Sequence, residues 1–339
     1  MVAVRSEKPR LACLAVSEGG QRLAARLAAA LGGTVIPRRT GLGAMMPALW
    51  QEYDGLICVM AAGIVVRLIA PLVCDKERDP GVVVVDEAGR FAVSLLSGHL
   101  GGANELAQRV AQVTGGQAVI TTASDVLGHT ALDLWAREQN LVVEECQALT
   151  QASAKLVNSG ELRLYSEIPV ASLPPDFAVA SEPESADCIV SHRHGPWPTG
   201  TLVLRPRHLV VGVGCNRGAS SGQIATALDE AFTRNDLSRL AIRNLASIDV
   251  KADEPGLLAF AEERGLSIEF YSKDVLNRVA GISPSEAVLR ATGAQGVAEP
   301  AAILSSGADN LLVRKMKWKD VTIAIAQAPS TLSAPAPAA

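Results

Sequence analysis

A histidine beside a group of glycines is the side chain of this protein best suited to proton transfer. His99 lies in Ser-Gly-His-Leu-Gly-Gly at 97–102, between an apolar run at 91–96 and a segment of helical spacing at 103–113. Its imidazole has an ordinary pKa near neutrality, so it exchanges protons at working pH. Ligands of open α/β sheets bind where strands end and helices begin. The predicted catalytic residues are His99, Glu105 and Ser97, and the predicted substrate-binding residues of this turn are Gly98, Gly101, Gly102 and Asn104.

The glycines of this turn permit backbone dihedrals that other residues resist. We expect the amides around Gly101 and Gly102 to stabilise an oxyanion or to bind a carboxylate, with Ser97, Asn104 and Glu105 as orienting partners. The alternative is that the nitrogens of His99 only cap backbone groups of the turn. Both interpretations remain open at the level of sequence.

A second glycine-rich turn repeats this design in the C-terminal half. Gly-Val-Gly-Cys-Asn-Arg-Gly at 212–218 follows an apolar run and precedes a segment of helical spacing. The first two glycines also permit a dinucleotide-binding oxidoreductase, in which an acidic residue ends the next strand about 20 residues later. Asp229 and Glu230 stand at that distance, but inside the predicted helix, and the spacing to the third glycine is too long. This oxidoreductase is therefore the less favoured alternative.

Short apolar runs alternate with segments of helical spacing along the chain. Strands are predicted at 11–16, 34–36, 56–60, 82–86, 91–96 and 118–121, and later at 209–213, 266–271, 311–313 and 321–326. A tight turn after 82–86 predicts a hairpin with the next strand, whereas 236–244 is predicted to be helical. The alternation favours an α/β fold with several domains: mostly parallel sheets with helices on both faces, a small middle segment and a C-terminal α/β domain.

Composition divides the chain further. We predict an N-terminal α/β domain at 1–128, a middle domain and Pro-rich linker at 129–207, a C-terminal α/β domain at 208–327 and a disordered tail at 328–339. Prolines crowd the end of the middle domain, so 181–206 is interpreted as loop or linker. His192 and His194 lie there without a third metal ligand nearby, which favours a loop over a metal site.

Charge and cysteine content exclude several classes of protein. The formal net charge of −4 lacks the basic field of nucleic-acid-binding proteins. Six scattered cysteines without a CxxC pair indicate reduced thiols in a cytoplasmic protein, with neither a disulfide frame nor a zinc site. No apolar run reaches membrane-spanning length. We therefore expect no nucleic-acid partner and no membrane contact.

Three stretches together resemble one family. They are GLICVMAAGIVVRLIAPLVCDKERDPGVVVVDEAG from Gly55, FAVSLLSGHLGGANELAQRVA from Phe91 with VITTASD after it, and LVVGVGCNRGASSGQI from Leu209. The third stretch is followed by SIDVKADEPGLLAFAEERG, EFYSK and AEPAAILSSG. On these motifs the chain is similar to the cobalt-precorrin-5A hydrolases, the CbiG family of cobalamin biosynthesis, over about residues 11–327.

The resemblance implies a hydrolase that acts on a carbon–carbon bond. Such enzymes open the ring lactone of cobalt-precorrin-5A and release a two-carbon fragment as acetaldehyde, leaving cobalt-precorrin-5B, in anaerobic cobalamin biosynthesis. The implied substrate is a cobalt-corrinoid, and no cofactor is expected because the substrate carries the cobalt. Neighbouring pathway enzymes in transient contact and a second copy in a homodimer are the other expected partners. A non-catalytic tetrapyrrole carrier is the alternative, since the C-terminal domain alone resembles a small single-domain protein of the oxygen-dependent branch.

A corrin precursor carries many acetate and propionate arms, so its site should offer arginine and lysine side chains. Arg217 and Lys251 rank highest because each lies in a family-like motif. Cys215 is more often a small buried hydrophobe than a nucleophile. Lysines at 315, 317 and 319 favour the solvated face of an edge strand. The remaining predicted substrate-binding residues are Arg67, Lys76, Gly214, Cys215, Asn216, Arg217, Gly218, Lys251 and Glu254.

Overall fold

The N-terminal unit is built on one six-stranded sheet. The computed structural model describes residues 9–37, 41–75 and 78–334, and the chain divides into two compact units between Leu134 and Trp135. The sheet has the order β2-β1-β3-β4-β5-β6, and every pair of neighbours is parallel except β4 and β5. The elements are β1 (Leu11–Ala15), α1 (Glu18–Leu31), β2 (Thr34–Val35), α2 (Leu42–Glu52), β3 (Gly55–Val59), α3 (Ala62–Ile69), β4 (Gly81–Val85), β5 (Phe91–Leu96), α4 (Ala103–Thr114), β6 (Gln117–Val119) and α5 (Ala123–Leu127).

Helices cover both faces of this sheet because its central strands are apolar on both sides. Strands β1, β3 and β4 are buried along their whole length. One face packs against α1 and α4 through Leu27 and Leu106, and the other packs against α2 and α3 through Met46 and Val65. Each such side chain contributes about 1.5–3 kcal/mol by leaving water. The mostly parallel, doubly covered sheet confirms the predicted fold class, and β4 and β5 form the predicted hairpin.

The middle of the chain forms a five-stranded sheet with the order β7-β11-β10-β8-β9. Its elements are α6 (Leu132–Glu138), β7 (Leu141–Val143), α7 (Cys146–Ser159), β8 (Leu162–Ser166), β9 (Phe177–Val179), β10 (Cys188–Val190) and β11 (Leu202–Pro206). The prediction of loop or linker at 181–206 was therefore wrong for β10 and β11, which are central strands of this sheet. The prolines misled because most lie between the strands, while the Cys-Ile-Val of β10 is fully buried.

The C-terminal sheet has the order β14-β13-β12-β16-β15. Its apolar faces pack against α8 and α9 on one side, through residues such as Leu228 and Phe260, and against α12 on the other, through Ala301. Its elements are β12 (Leu209–Cys215), α8 (Ser221–Arg234), β13 (Ile242–Ile248), α9 (Pro255–Arg264), β14 (Ile268–Tyr271), α10 (Lys273–Leu276), α11 (Glu286–Thr292), α12 (Ala298–Ser306), β15 (Leu311–Lys317) and β16 (Val321–Gln327). The helix predicted at 236–244 is wrong, because strand β13 begins there and fills the sheet between β12 and β14.

A buried histidine pair joins the middle and C-terminal sheets. His192 Nδ1 lies 3.0 Å from His208 Nε2, and both side chains are almost fully buried. The backbone of Arg193 pairs with that of Leu237 in an isolated bridge. The segment that holds His192 and His194 is therefore not a free loop, because its backbone is bonded to Leu237 and one imidazole to His208, which precede strands β13 and β12 of the C-terminal sheet.

The predicted disordered tail is ordered in its first part. Leu332 is buried and its backbone bridges to Val170 of the middle domain. The indole of Trp135 donates to the carbonyl of Ser333 over 3.1 Å. The prediction was therefore wrong for residues 328–334, since one leucine and these backbone bonds dock the segment, and residues 335–339 lie outside the described chain. Among the described residues, no helix combines the length and the apolarity that crossing a membrane requires.

Candidate functional site

The turn between β5 and α4 fixes the backbone of His99. Ser97 adopts a φ of +55°, in the left-handed region that L side chains rarely occupy. A Cβ on Gly101 would stand 2.3 Å from the Cβ of Ser97, so only glycine fits there. Gly102 has a φ of +77° and donates its amide to the carbonyl of His99 over 2.8 Å. The turn is thus closed on itself and presents one imidazole.

Three polar side chains surround this imidazole. His99 Nε2 lies 2.8 Å from Asp125 Oδ2 and 3.2 Å from Ser124 Oγ. On the opposite side of the ring, Nδ1 lies 3.2 Å from Asp133 Oδ1. The His99 side chain is 16% exposed and that of Asp125 is 36% exposed, so the site is reached from solvent. We refer to His99, Ser124, Asp125 and Asp133 as the His99 site.

Asn104 connects this site to the interior of the N-terminal unit. Its side-chain amide donates to Thr122 Oγ1 over 3.0 Å and to Asp125 Oδ2 over 3.1 Å. Its oxygen accepts from Ser94 Oγ over 2.7 Å. Because Asn104 is only 6% exposed, these bonds hold the Asp125 carboxylate in place. Asn104 therefore positions the carboxylate that contacts His99.

The two carboxylates stabilise the protonated form of His99. The hydrogen bond to Asp133 is the largest influence, and it raises the pKa of His99 above its ordinary value. Partial burial opposes this effect, and the bond to Asp125 adds to it. His99 consequently keeps its proton to a higher pH than a free histidine. Once deprotonated, it is a correspondingly stronger base.

The structure separates the predicted residues of this turn. Glu105 is exposed on α4, and in the described part of the chain no hydrogen bond or ion pair joins it to His99. The Ser97 hydroxyl is buried and has no hydrogen-bond partner among the described residues. The amide of Gly102 is bound to the turn itself, which removes it as an oxyanion donor. His99 and Asn104 are thus the predicted side chains that come together.

Sequence reasoning missed Ser124, Asp125 and Asp133. A signal was present for the first two, because VITTASD follows a predicted strand and ends in these residues. Asp133 lies eight positions further along, at the start of α6, and nothing in its local sequence distinguishes it from a surface aspartate. Of the predicted basic residues of this unit, exposed Arg67 donates to the carbonyl of Gly63 within α3, and Lys76 lies outside the described residues.

The second glycine turn holds a buried ion pair. Lys251 Nζ donates to Glu254 Oε2 over 3.0 Å, and both side chains are almost fully buried. Glu254 Oε1 accepts from the amide of Gly218 over 2.9 Å. Burial acts to raise the pKa of Glu254, but the Gly218 amide and the Lys251 ammonium outweigh it, so this pKa is lowered. Glu254 therefore stays ionised, and its bonds to Lys251 and Gly218 fasten the turn to the 249–254 segment.

Arg217 lies on the outside of the same turn. Its Nη1 is 2.5 Å from Asp253 Oδ1 and its Nη2 donates to the carbonyl of Val250 over 2.8 Å. Its side chain is 59% exposed, so solvent screens the pair. The guanidinium is already bound to a carboxylate, and a substrate carboxylate would have to compete with Asp253 for it.

A cavity of about 180 Å³ opens beside this turn. Edge strand β15 and the turn that follows it border the cavity with Lys315, Lys317 and Lys319. Lys315 donates to the carbonyl of Ser283, and burial lowers its pKa, while Lys317 and Lys319 are exposed. The edge strand was predicted correctly, but its lysine face borders a cavity. The cavity is also lined by the predicted residues Gly214, Cys215, Asn216 and Lys251.

Cys215 and Gly212 of the second glycine turn bear on two other predictions. Burial raises the pKa of the Cys215 thiol, which keeps it protonated and makes it a poor nucleophile. A Cβ on Gly212 would stand 1.8 Å from the carbonyl oxygen of Ala298, so this glycine admits α12 against β12. The first glycine of the motif therefore serves helix packing, which weakens the nucleotide-binding interpretation.

Comparisons with known proteins cover nearly the whole described chain. Family models match residues 44–125 (Cobalamin synthesis G N-terminal), 130–206 (Cobalamin biosynthesis central region) and 209–326 (Cobalamin synthesis G C-terminus). A protein of Priestia megaterium named cobalt-precorrin-5A hydrolase is 38% identical over 84% of this chain and 81% of its own length. A Salmonella typhimurium protein of the same name is 32% identical over 96% of this chain and 99% of its own. Protein CobE of Sinorhizobium is 34% identical over 37% of this chain and 83% of its own length.

Proposed function

This chain belongs to the cobalt-precorrin-5A hydrolase family of cobalamin biosynthesis, and we propose that it carries out the family reaction at the His99 site. The reaction hydrolyses the ring lactone of cobalt-precorrin-5A and releases a two-carbon fragment as acetaldehyde, giving cobalt-precorrin-5B. The observation that supports this site is an accessible imidazole with a carboxylate on each ring nitrogen. Lactone opening and fragment loss each need a group that takes up a proton and then returns it.

His99 supplies both proton transfers. In its neutral form Nδ1–H donates to Asp133, which leaves the lone pair of Nε2 free to accept the proton of the oxygen that attacks the lactone carbonyl. The imidazolium then gives this proton to the ring oxygen that leaves, which becomes a hydroxyl. Neutral His99 then removes the proton of this new hydroxyl. The carbon–carbon bond to the macrocycle breaks, and the hydroxyl oxygen becomes the carbonyl oxygen of acetaldehyde. The electrons of the broken carbon–carbon bond pass into the electron-poor macrocycle.

The lysines of the C-terminal cavity bind substrate carboxylates in this proposal. Ligand pockets for whole small molecules measure roughly 300–1,000 Å³, so a cavity of about 180 Å³ is too small for a tetrapyrrole. It suits single acetate or propionate arms. Lys317 and Lys319 are exposed at the border of the cavity, whereas Lys251 is buried and its ammonium is paired with Glu254. This supports the two exposed lysines as carboxylate ligands in place of Lys251.

Acetaldehyde release tests the proposed function. The full-length protein is mixed with cobalt-precorrin-5A without oxygen, and the volatile aldehyde is trapped and quantified beside the corrinoid product. We expect one acetaldehyde for each corrinoid consumed. Tight corrinoid binding without acetaldehyde would contradict the proposal and favour a carrier. Release that persists unchanged in His99→Gln would place the chemistry at another site.

A further inference from the structure

Ser124 stands in a position that the proton-transfer role of His99 leaves unexplained. Its Oγ lies 3.2 Å from His99 Nε2, and Asp133 Oδ1 lies 3.2 Å from His99 Nδ1. A hydroxyl on one ring nitrogen and a carboxylate on the other are the arrangement of serine hydrolases, which is recognised by geometry and not by order along the chain. Ser124 is half-buried at the start of α5, and the two residues after Asp125 on that helix, Val126 and Leu127, are 66% and 54% exposed.

We propose that Ser124 is the nucleophile that opens the lactone and that the opened acid is held for a time as an ester on Ser124 Oγ. This inference rests on the proposed function, because it names the oxygen that attacks the lactone carbonyl. The cleaved bond is the ester bond of the lactone. Water enters only afterwards, to release the acid from the serine.

Asp125 contacts the same ring nitrogen as Ser124, and protonation decides between them. When His99 is protonated, Nε2–H donates to the carboxylate of Asp125, which lies closer than Ser124. When His99 is neutral with its hydrogen on Nδ1, Nε2 is an acceptor. An ionised carboxylate is also only an acceptor and cannot hydrogen-bond to it, whereas the Ser124 hydroxyl can donate. Deprotonation of His99 therefore transfers its Nε2 bond from Asp125 to Ser124 and aligns the nucleophile with its base.

The covalent steps balance without any co-reactant except water. Ser124 Oγ forms a bond to the lactone carbonyl carbon while its proton passes to His99 Nε2. The bond between that carbon and the ring oxygen breaks, and the ring oxygen takes the proton from His99. Water then attacks the serine ester, with its proton passing to His99 and from there to Ser124 Oγ. One water is consumed, as hydrolysis requires, and the released hydroxyl is free to lose the two-carbon fragment.

A covalent corrinoid on the protein is the direct test. Full-length protein and cobalt-precorrin-5A are mixed anaerobically, quenched in acid during the first turnover and separated under denaturing conditions. We expect corrinoid absorbance and mass on the denatured protein, on the peptide that contains Ser124. Ser124→Cys should form the corresponding thioester adduct on the same peptide. Ser124→Ala should lose the adduct and slow lactone opening by about 10³-fold or more.

The control is Ser159→Ala, since Ser159 is an exposed serine at the end of α7 whose hydroxyl, within the described part of the chain, bonds only to the carbonyls of Lys155 and Glu161. It should keep the wild-type rate and adduct. Wild-type rates in Ser124→Ala would overturn the proposal and make water the nucleophile. Slow Ser124→Ala with no adduct in either wild type or Ser124→Cys would also overturn it and leave Ser124 as a positioning residue. Failure of the wild type to release acetaldehyde would instead contradict the proposed function.

Discussion

The two glycine turns of this chain look alike in sequence and hold ionisable groups in opposite ways. In the N-terminal unit, His99 lies half-buried between two carboxylates and beside a hydroxyl. In the C-terminal half, the side chains of Lys251 and Glu254 are buried and bonded to each other, and Glu254 also accepts from the backbone amide of Gly218. A group that exchanges protons with a substrate needs access and competing partners. A group that fastens two segments needs neither. In the proposed function the first turn therefore serves proton transfer, whereas the second turn is structural.

The histidines show the same contrast. Burial first, and neighbouring charges second, lower the pKa of His192 to about 4 and of His208 to about 3. The pKa of His99 is instead raised by its carboxylates. His192 and His208 therefore stay neutral at working pH and hold two sheets together, whereas the carboxylates beside His99 favour its protonated form.

Replacement of His99 should produce the largest effect. We expect His99→Gln to slow acetaldehyde release by about 10²–10⁴-fold, the usual contribution of general acid–base catalysis. Corrinoid affinity should change little, because the proposed role of His99 is proton transfer and not the binding of substrate carboxylates. The rate is measured by aldehyde trapping and the affinity by absorbance titration. A variant that loses affinity in proportion to its rate would mean that His99 binds substrate and does not transfer protons.

Lys251→Met should break the structural pair. Removal of one partner leaves Glu254 without its ammonium in a buried position, which costs about 3 kcal/mol of unfolding free energy. Urea unfolding measures this loss. The matched variant is Arg217→Ala on the exposed side of the same turn, which should change stability much less. Unchanged stability of Lys251→Met together with weaker corrinoid binding would instead make Lys251 a substrate ligand.

The aspartates should set the pH dependence. The rate should rise with pH through the raised pKa of His99, because only the neutral imidazole accepts a proton. Asp125→Asn removes one stabilising carboxylate, so the acid limb of the kcat/KM profile should move to lower pH. Asp133→Asn should also move the acid limb to lower pH. In addition, it should lower the plateau value of kcat/KM by about 10-fold or more, since the carboxylate that fixes the tautomer of His99 is then missing. Profiles that superimpose on the wild type would contradict this role.

The buried histidine pair should make the protein sensitive to acid. The unfolded chain takes up protons near pH 6.5, whereas native His192 and His208 resist them until about pH 4 and 3. Their contribution to stability is therefore complete above pH 6.5 and falls as the pH drops, by up to about 1.4 kcal/mol per pH unit for each histidine. Urea midpoints between pH 7 and 4 measure the slope. His208→Gln should flatten it, and an unchanged slope would assign the acid sensitivity to other groups.

The cavity lysines should produce the smallest effect. Lys317→Ala and Lys319→Ala should each weaken corrinoid binding by about 5-fold, because exposed charge pairs contribute about 1 kcal/mol or less. High salt should reduce the difference from the wild type. Lys155→Ala, an exposed lysine paired with Asp187 outside the cavity, is the control and should bind normally. An equal loss of corrinoid affinity in the control and in the cavity variants would show that only the overall charge of the protein matters.

Local pattern determined the fold class, the hairpin of β4 and β5, and the position of His99 at a strand end. Apolar runs and glycine turns are consequences of a few consecutive residues, so they can be recognised in sequence. The same reasoning failed for β10, β11 and β13, where prolines or helix-compatible residues surround strands that only burial in a sheet stabilises. It also failed for residues 328–334, which are ordered by docking through Leu332 and not by their own composition.

The sequence by itself determined that a histidine turn exists and which family the chain resembles. Only the tertiary structure decided what surrounds the imidazole, because Ser124 and Asp125 arrive from 25 and 26 residues away and Asp133 from the next helix. It likewise decided that Lys251 is paired and that the lysines of β15 border a cavity. Contacts between distant segments depend on how sheets and helices pack. The local sequence pattern predicts individual strands and turns, because these depend on consecutive residues, but it does not predict which distant segments pack together.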